Sequence, residues 1–425
     1  MTLPDGADRL REALPFDDPR VVRAQRHTLW VLAIAQIVGT VGVGVAPTIG
    51  ILLAGEVTNS EAWAGLARTS STLGAALLGF PLGTLAARRG RRVALSSGWF
   101  VAATGATLLV AAAQLSLVVP LFLGLLMIGA GSAVTLQARF AATDLASPAN
   151  HAKSLALIVW VGTIGMVLGP NLGAVGEWLG RSITLVPFAA AFAIAAVFLA
   201  LAGVVVLVFL RPDPLLLMGS PTTTPGPHAP GTRKRGGVRA VVDELRANAS
   251  ARYAVVTILC AQAVMVAIMT MTPVHIAHHE GSITIIGITI SLHIVGMFAF
   301  APLVGIATDR FGHRPTIAVG TGILLASLII AILRPHSIAW IVVSLFLLGL
   351  GWSFANVAGS ALFSAVIARE TRATTQGGVD ALSNLAGALA AFVAGPLLAV
   401  TSFAWLAGVA VVLLIPMAVL AIRRS

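Results

Sequence analysis

Long apolar runs separated by short polar segments dominate the pattern along the chain. Twelve runs are long enough to cross the hydrocarbon core of a bilayer, which needs about 20 helical residues. The pattern therefore predicts an all-α membrane protein with twelve transmembrane helices. The predicted spans, numbered 1 to 12, are 29–54, 63–87, 93–113, 117–141, 154–179, 185–210, 253–277, 283–308, 316–333, 338–367, 377–400 and 403–422.

Composition supports this prediction and excludes other classes. Of the 425 residues, 57% are apolar and only 10% are charged, whereas soluble domains have about 45–50% apolar and about 25% charged residues. The single cysteine, Cys260, cannot form an intrachain disulfide. The sequence contains no P-loop, no Gly-x-Ser-x-Gly elbow and no His-Glu-x-x-His motif. We therefore expect neither an enzyme nor a bound cofactor.

The basic residues predict the orientation of the chain. Sorted by the predicted loops, 23 of the 27 Lys and Arg residues fall on one side of the membrane and two on the other. By the positive-inside bias, both termini are expected in the cytoplasm of a bacterial cell, with no cleaved signal peptide. The net charge of +11 thus reflects topology, and nucleic acid is not an expected partner. The predicted divisions are a tail at 1–28, a bundle at 29–210, a linker at 211–250 and a bundle at 251–422.

The two predicted bundles carry matching sequence marks. The junction of spans 2 and 3, residues 83–92, matches the junction of spans 8 and 9, residues 305–314, at an offset of 222 residues. A Gly-Pro pair near the end of span 5 recurs near the end of span 11, 226 residues later. These offsets predict two pseudo-symmetric six-helix bundles related as parallel repeats, an arrangement found in one large transporter class.

The junctions resemble the cytoplasmic G-x-L-A-D-R-x-G-R-R motif of the major facilitator superfamily, and the resemblance extends over all twelve spans. In that family, the acidic and basic residues pair across helix ends and latch one conformation. Here the acidic position is Asp309 in the second copy but Ala87 in the first, which puts the first latch in doubt. Simple charge balance at helix ends is an alternative interpretation. The candidate latch residues are Gly83, Arg88, Gly90, Arg91, Asp144, Gly305, Asp309, Arg310, Gly312 and Glu370.

The Gly-Pro segment of span 5 resembles the antiporter motif of the same family. Glycines let another helix approach closely, and proline bends a span. The motif indicates rocking helices and says little about the solute. The residues expected to support this packing are Gly165, Gly169, Pro170, Gly173, Gly395 and Pro396.

Sulfur and imidazole side chains occupy the middle of two predicted spans, where no carboxylate occurs. Met265 and Met269 in span 7, and His293 and Met297 in span 8, each have the i,i+4 spacing that places two side chains on one helix face. At about 1.5 Å per residue, the two pairs lie at similar depths. Thioethers favour Cu(I), which predicts a copper site if these faces meet. Methionine is also a common gap filler in apolar cores, so packing alone is the competing interpretation.

The same two pairs resemble the signature of the CcoA-like (CalT) copper importers. That resemblance implies Cu(I) uptake through Met265, Met269, His293 and Met297. A capture site at the mouth of the pathway is predicted from a nearby cluster of soft and imidazole side chains, Met271, His275, His278 and His279.

The sequence leaves the substrate of the transporter open. Related members handle organic solutes, and proton-coupled efflux of drugs or other organic solutes is the alternative to Cu(I) uptake. We expect a monomer in the lipid bilayer whose partner is a small molecule or a metal ion.

Overall fold

The computed structural model describes residues 16–60, 62–147, 150–217, 245–246, 248–279, 281–367 and 372–422. Throughout these residues the chain is helical, and they contain no β-strand. The basic linker segment 218–244 lies outside the described residues.

The first half forms spans 1 to 6. Several spans are broken into two helices by short turns of π-helix or 3₁₀-helix, at Ala46–Gly50 in span 1 and Gly169–Asn171 in span 5. The helices are Pro19–Val43 and Ile51–Thr58 in span 1, Ala62–Leu115 in spans 2 and 3, Val118–Ala141 in span 4, His151–Leu168 and Leu172–Ile183 in span 5, and Pro187–Phe209 in span 6.

The second half repeats this order. A short helix, Pro214–Leu217, precedes it at the start of the linker. The helices are Ala249–His278 in span 7, Ile283–Phe298 and Ala301–Phe311 in span 8, His313–Leu333 in span 9, Ile338–Val366 in span 10, Arg372–Val400 in span 11, and Phe403–Ile422 in span 12.

Two glycines divide spans at equivalent positions of the repeat. Within the described residues, eleven helical segments are long and apolar enough to cross a membrane, and one of them has 54 residues. That segment contains Gly90 in a non-helical conformation with φ 87° and ψ 170°, so it comprises spans 2 and 3. Gly312, 222 residues later, adopts φ 89° and ψ 160° between spans 8 and 9. The twelve predicted spans are therefore present in a multi-pass membrane protein.

Span 1 begins earlier than the sequence predicted. Its helix starts at Pro19 and not at Leu29, so it includes residues 19–28 of the predicted tail. The cause is local: Asp18 caps the helix through a 2.7 Å hydrogen bond from the Arg20 backbone N–H, and proline is favourable in the first helical turn.

The apolar side chains form one core in each half and a lipid-facing outer surface. The first core is built from spans 1 to 6, and the second from spans 7 to 12 with Ile51 and Ala64 added from the first half. Many large apolar side chains remain exposed, including Phe80, Trp178 and Leu333. A surface of this kind suits contact with lipid and not with water.

We call the membrane side of Arg91 and Arg310 the junction side and the opposite side the far side. The two halves pack against each other in the far half of spans 2 and 11, where a side chain on Gly65 would collide with the Ala391 carbonyl. The Thr69 hydroxyl donates to the Ala388 carbonyl at 3.1 Å. This contact forms one seam between the halves.

A second seam joins spans 5 and 8, also toward the far side. Asn171 Nδ2 donates to the Ser291 hydroxyl at 2.7 Å, and that hydroxyl donates to the Val167 carbonyl at 2.6 Å. The two seams hold the halves together toward the far side.

Candidate solute pathway

His293 is held in one orientation at the inner face of span 8. Its ring is fully buried, and Nδ1 lies 2.7 Å from the Leu345 carbonyl of span 10. A carbonyl oxygen only accepts hydrogen bonds, so Nδ1 carries the proton and Nε2 of the neutral ring keeps a lone pair. Nε2 is buried and has no hydrogen-bond partner within the described residues. The ring therefore has one unused acceptor.

The three methionines of the predicted copper site are buried in the core of the second half. Met265, Met269 and Met297 belong to the same apolar cluster. Span 7 packs mainly against spans 10, 11 and 12, whereas span 8 packs mainly against span 10. His293 therefore contacts span 10. A single cluster of the three methionines and His293 stays a prediction.

Arg68 is the functional candidate that sequence reasoning missed. It lies in span 2 and is half-buried. Within the described residues, its guanidinium forms no hydrogen bond and no ion pair. A charged group inside a membrane span is costly and usually functional. The sequence signal was available, because Arg68 is one of only two arginines inside the predicted spans.

An amide from span 7 and aromatic rings from spans 8 and 10 lie close together in the second half. Gln262 Oε1 accepts a 2.8 Å hydrogen bond from the indole N–H of Trp352, which fixes the indole. The Phe298 ring meets the Trp352 ring edge-on at a centroid distance of 5.9 Å. All three side chains are half-buried. They offer a partly apolar surface with one amide to a solute.

A row of polar side chains continues from Trp352 along one face of span 10. Asn356, Ser360 and Ser364 follow at intervals of four residues, the spacing that keeps side chains on one helix face. Ser360 donates to Asn356 Oδ1 at 3.2 Å, and Gln376 of span 11 donates to Ser364 at 2.7 Å. This row leads from the middle of the membrane to the junction side.

His336, which the sequence did not assign to a site, lies at the predicted capture site. His279 Nδ1 donates to the His275 carbonyl at 2.9 Å, and His279 Nε2 lies 2.9 Å from Nδ1 of His336 in the loop between spans 9 and 10. His275 stacks on Phe403 at 4.2 Å. A far-side cavity of about 410 Å³ is lined by these three histidines and by His278. Met271 is fully buried and does not line this cavity.

The junction residues form separate contacts in the two halves. Arg91 holds Asp144 with two hydrogen bonds, of 2.8 and 3.2 Å. The Arg310 guanidinium lies 5.5 Å from the Phe311 ring centroid. Glu370 lies outside the described residues. The Arg91–Asp144 pair joins elements of one half only, so the role of these residues as a conformational latch stays a prediction.

The glycines of span 5 lie where other helices come closest. A side chain on Gly165 would meet Thr40 and the Ile37 carbonyl of span 1, and one on Gly169 would meet Gly44. Gly173 faces Ile283 across the seam to span 8. In the second copy, Gly395 faces the backbone of Ala62 and Gly65 across the other seam, with Pro396 next in the helix. Small residues therefore occupy both seams between the halves.

Comparison with known proteins extends over the whole membrane region. The family model described as Major Facilitator Superfamily matches residues 29–281 and 253–425. The MFS-type transporter YdeG of Bacillus subtilis, named as uncharacterized, is 37% identical over 398 residues, which cover 93% of this chain and 91% of YdeG. The riboflavin transporter RfnT of Brucella anthropi is 27% identical over 375 residues, covering 88% of this chain and 90% of RfnT.

A solved structure shares the fold. A bacterial homologue of the human lysosomal transporter Spinster, in an inward-facing and unoccupied conformation, aligns with a TM-score of 0.69 and 17% identity. The alignment covers 95% of this chain and 96% of that one. The chain belongs to the major facilitator superfamily, and it is a membrane transport protein and not an enzyme.

Proposed function

We propose that this secondary transporter moves a small organic solute between its two halves by alternating access. The observation that carries the proposal is the free Nε2 of His293, buried in a span with no hydrogen-bond partner in the described part of the chain. A buried polar atom without a partner is costly, and a solute that donates a hydrogen bond would remove that cost. Similarity to a riboflavin transporter supports an organic solute.

Half-buried side chains of spans 7, 8 and 10 suit such a solute. Trp352 and Phe298 present aromatic surface, and Gln262 presents an amide. Pockets for organic ligands are mostly apolar with a few well-placed polar groups. The polar face of span 10 provides an exit toward the junction side.

We propose that the junction side is cytoplasmic, as the distribution of basic residues predicts. The protein then works as a monomer in the cytoplasmic membrane of a bacterium, and the present conformation faces inward. The direction of transport depends on which ion gradient drives it. Proton-coupled efflux is the alternative to uptake. The sequence has no carboxylate in the middle of the predicted spans. A carboxylate that carries a coupled proton would therefore have to lie nearer the ends of the spans.

Riboflavin counterflow into proteoliposomes tests this function. We expect labelled riboflavin to accumulate against an unlabelled internal pool, and Trp352→Leu to reduce the rate. Met271→Leu is the control, because Met271 is fully buried in the second core and does not line the far-side cavity. Absence of counterflow by the unmodified protein would exclude riboflavin as the solute.

Cu(I) uptake is the second candidate, and the hydrogen bond of His293 favours it. Metal-binding histidines commonly donate one ring N–H to a carbonyl and leave the other nitrogen for the metal, as His293 does here. The organic solute is preferred because the chain is similar to a riboflavin transporter over most of its length.

Copper content of expressing cells distinguishes the candidates. Uptake of Cu(I) predicts that Met265→Leu and His293→Ala lower cellular copper, while Met271→Leu does not. Equal copper in cells with and without the protein would reject this candidate.

A further inference from the structure

Three arginines line one cavity at the junction end of the first half. Arg89 lies at the end of span 2, Arg92 at the start of span 3, and Arg211 just after the end of span 6. The cavity has a volume of about 460 Å³, and its other lining residues come from the start of the linker, among them Asp213 and Leu216. Three spans therefore bring guanidinium groups to one opening.

Backbone hydrogen bonds and apolar packing order the wall of this cavity. Asp213 Oδ2 accepts a hydrogen bond from the Arg92 backbone N–H at 2.7 Å, and Oδ1 accepts one from the Leu215 backbone N–H at 3.0 Å. Leu217 packs against an apolar cluster that contains Val21 of span 1. The start of the linker is thus held in place by contacts that do not use the arginine side chains.

The three guanidinium groups are not neutralised by acidic side chains that the structure describes. The ion pairs in that part of the chain join Arg20 to Asp18, Arg91 to Asp144 and Arg181 to Glu177. Three positive charges therefore line the cavity beside one carboxylate, which already accepts hydrogen bonds from the backbone. Planar guanidinium groups bind phosphate oxygens with two parallel hydrogen bonds, so the cavity suits a phosphate group.

A groove on the outer surface lies between spans 3 and 6, nearer the middle of the membrane. It has a volume of about 500 Å³, and its lining includes Phe100, Ala103 and Thr107 of span 3 with Val197 and Ala200 of span 6. Val197 is 65% exposed, as expected of a side chain that faces lipid. The groove therefore offers a mostly apolar surface to an acyl chain.

The groove lies on the same face of span 3 as Arg92. At about 100° per residue, its three residues on span 3 lie about 20–80° from Arg92 around the helix axis. At about 1.5 Å per residue, they lie about 12–22 Å deeper. Val204 and Val208 of span 6, both exposed, occupy the depths between the groove and the cavity. One leaflet contributes about 15 Å to the hydrocarbon core, so an acyl chain that starts at the cavity reaches the groove.

We propose that Arg89, Arg92 and Arg211 bind the phosphate of an anionic phospholipid whose acyl chain lies in the groove between spans 3 and 6. Basic pockets between transmembrane helices are known to bind acidic lipid headgroups. Free phosphate shares the chemistry of the headgroup but leaves the groove empty, so the groove favours the lipid. The bound lipid joins the junction of spans 2 and 3 to the start of the linker. The site is independent of which solute the protein carries.

Lipid-dependent thermal unfolding of the full chain in detergent tests the site. The probes are palmitoyl-oleoyl phosphatidylglycerol, phosphatidylcholine with the same acyl chains, and inorganic phosphate. We expect phosphatidylglycerol to raise the unfolding temperature more than either of the other two at the same concentration. Joint substitution of Arg89, Arg92 and Arg211 by glutamine should weaken the binding of phosphatidylglycerol at least about tenfold, equal to about 1.4 kcal/mol.

A second triple variant controls for the general effect of positive charge. Arg20, Arg23 and Arg26 are exposed at the start of span 1 on the junction side and do not line the cavity. Their joint substitution by glutamine removes the same charge and should leave the binding of phosphatidylglycerol unchanged. Equal weakening by the two triple variants would overturn the site. Phosphatidylcholine that stabilises the protein as much as phosphatidylglycerol does would overturn it too.

A substitution in the groove distinguishes a lipid from free phosphate and keeps the proposal testable if the arginine variant is unstable. Ala200→Trp would fill the groove and should weaken the binding of phosphatidylglycerol. Leu201→Trp is the matched control, because Leu201 is exposed on the same helix and does not line the groove. If the two tryptophan variants bind phosphatidylglycerol equally well, or if inorganic phosphate stabilises the protein as much as the lipid does, the lipid site is overturned.

Discussion

Asp213 accepts a 2.7 Å hydrogen bond from the backbone N–H of Arg92, directly beside Gly90 at the start of span 3. A Cβ atom on Gly90 would collide with this carboxylate. The first junction therefore contains an acidic group, but it comes from the start of the linker and not from the acidic position of the motif, which is Ala87. Contact with the linker therefore helps to order the junction end of the first half.

Substitution of the two junction glycines should have unequal effects. Gly90→Ala combines a strained positive φ, costing about 1–3 kcal/mol, with the collision against Asp213. Gly312→Ala has a similar backbone conformation, but among the described residues its Cβ would meet only Pro315, at 3.9 Å. We expect a larger fall in unfolding temperature for Gly90→Ala, measured in detergent. Equal falls would show that the contact with Asp213 contributes nothing.

Removal of the Arg91–Asp144 pair should destabilise the first half. Both side chains are largely buried, with 15% and 14% exposure, so Asp144→Asn leaves a poorly solvated arginine and is expected to cost about 1–3 kcal/mol. The exposed pair of Arg181 and Glu177, at 76% and 42% exposure, offers a control. Glu177→Gln should change stability by less than about 1 kcal/mol. Thermal unfolding compares the two, and a similar effect of both would contradict the assignment.

Arg139 and Asp380 should meet when the junction side closes. They lie at the junction ends of spans 4 and 11, in different halves, and carry opposite charges. Arg139 Nε is buried without a hydrogen-bond partner in the described part of the chain. Alternating access would bring the pair into contact and stabilise the closed junction.

Charge reversal tests this contact. In a Cys260→Ser background, Asn356→Cys reports access from the junction side through its rate of labelling. Arg139→Asp or Asp380→Arg alone should raise the rate, because like charges hold the junction open, and the double reversal should restore it. A double variant that labels as fast as the single variants would exclude the contact.

The packing of span 5 on span 1 should depend on a glycine at position 165. Gly165→Val would force its side chain into Thr40 and the Ile37 carbonyl, so we expect loss of folded protein in size-exclusion chromatography. Gly408→Val is the control, because a Cβ there meets none of the described residues within 4 Å. Normal folding of the Gly165 variant would show that the helices separate at little cost.

The number of spans and the repeat could be predicted from the sequence because each depends on local composition. Twenty apolar residues specify a membrane helix, and Gly90 and Gly312 recur because the same turn is made twice. The start of span 1 was placed ten residues late, because the cap at Asp18 lies within a polar segment. Hydropathy does not detect such a cap.

The candidate site could be predicted only in part, because spacing shows which residues share a helix face and not which helix they contact. His293 was identified from its pairing with Met297, but its hydrogen bond to span 10 depends on tertiary packing. His336 joins His279 although 57 residues separate them.

The most direct test of solute transport by alternating access is counterflow through a protein whose far seam is locked. Thr69 and Ala388 are in contact across spans 2 and 11, so Thr69→Cys with Ala388→Cys in a Cys260→Ser background can be cross-linked by a short bifunctional thiol reagent with a reducible disulfide. We predict that riboflavin accumulates in proteoliposomes, that cross-linking stops this accumulation, and that a reducing agent restores it. Absence of riboflavin accumulation, or accumulation that continues through the cross-linked protein, would contradict the account.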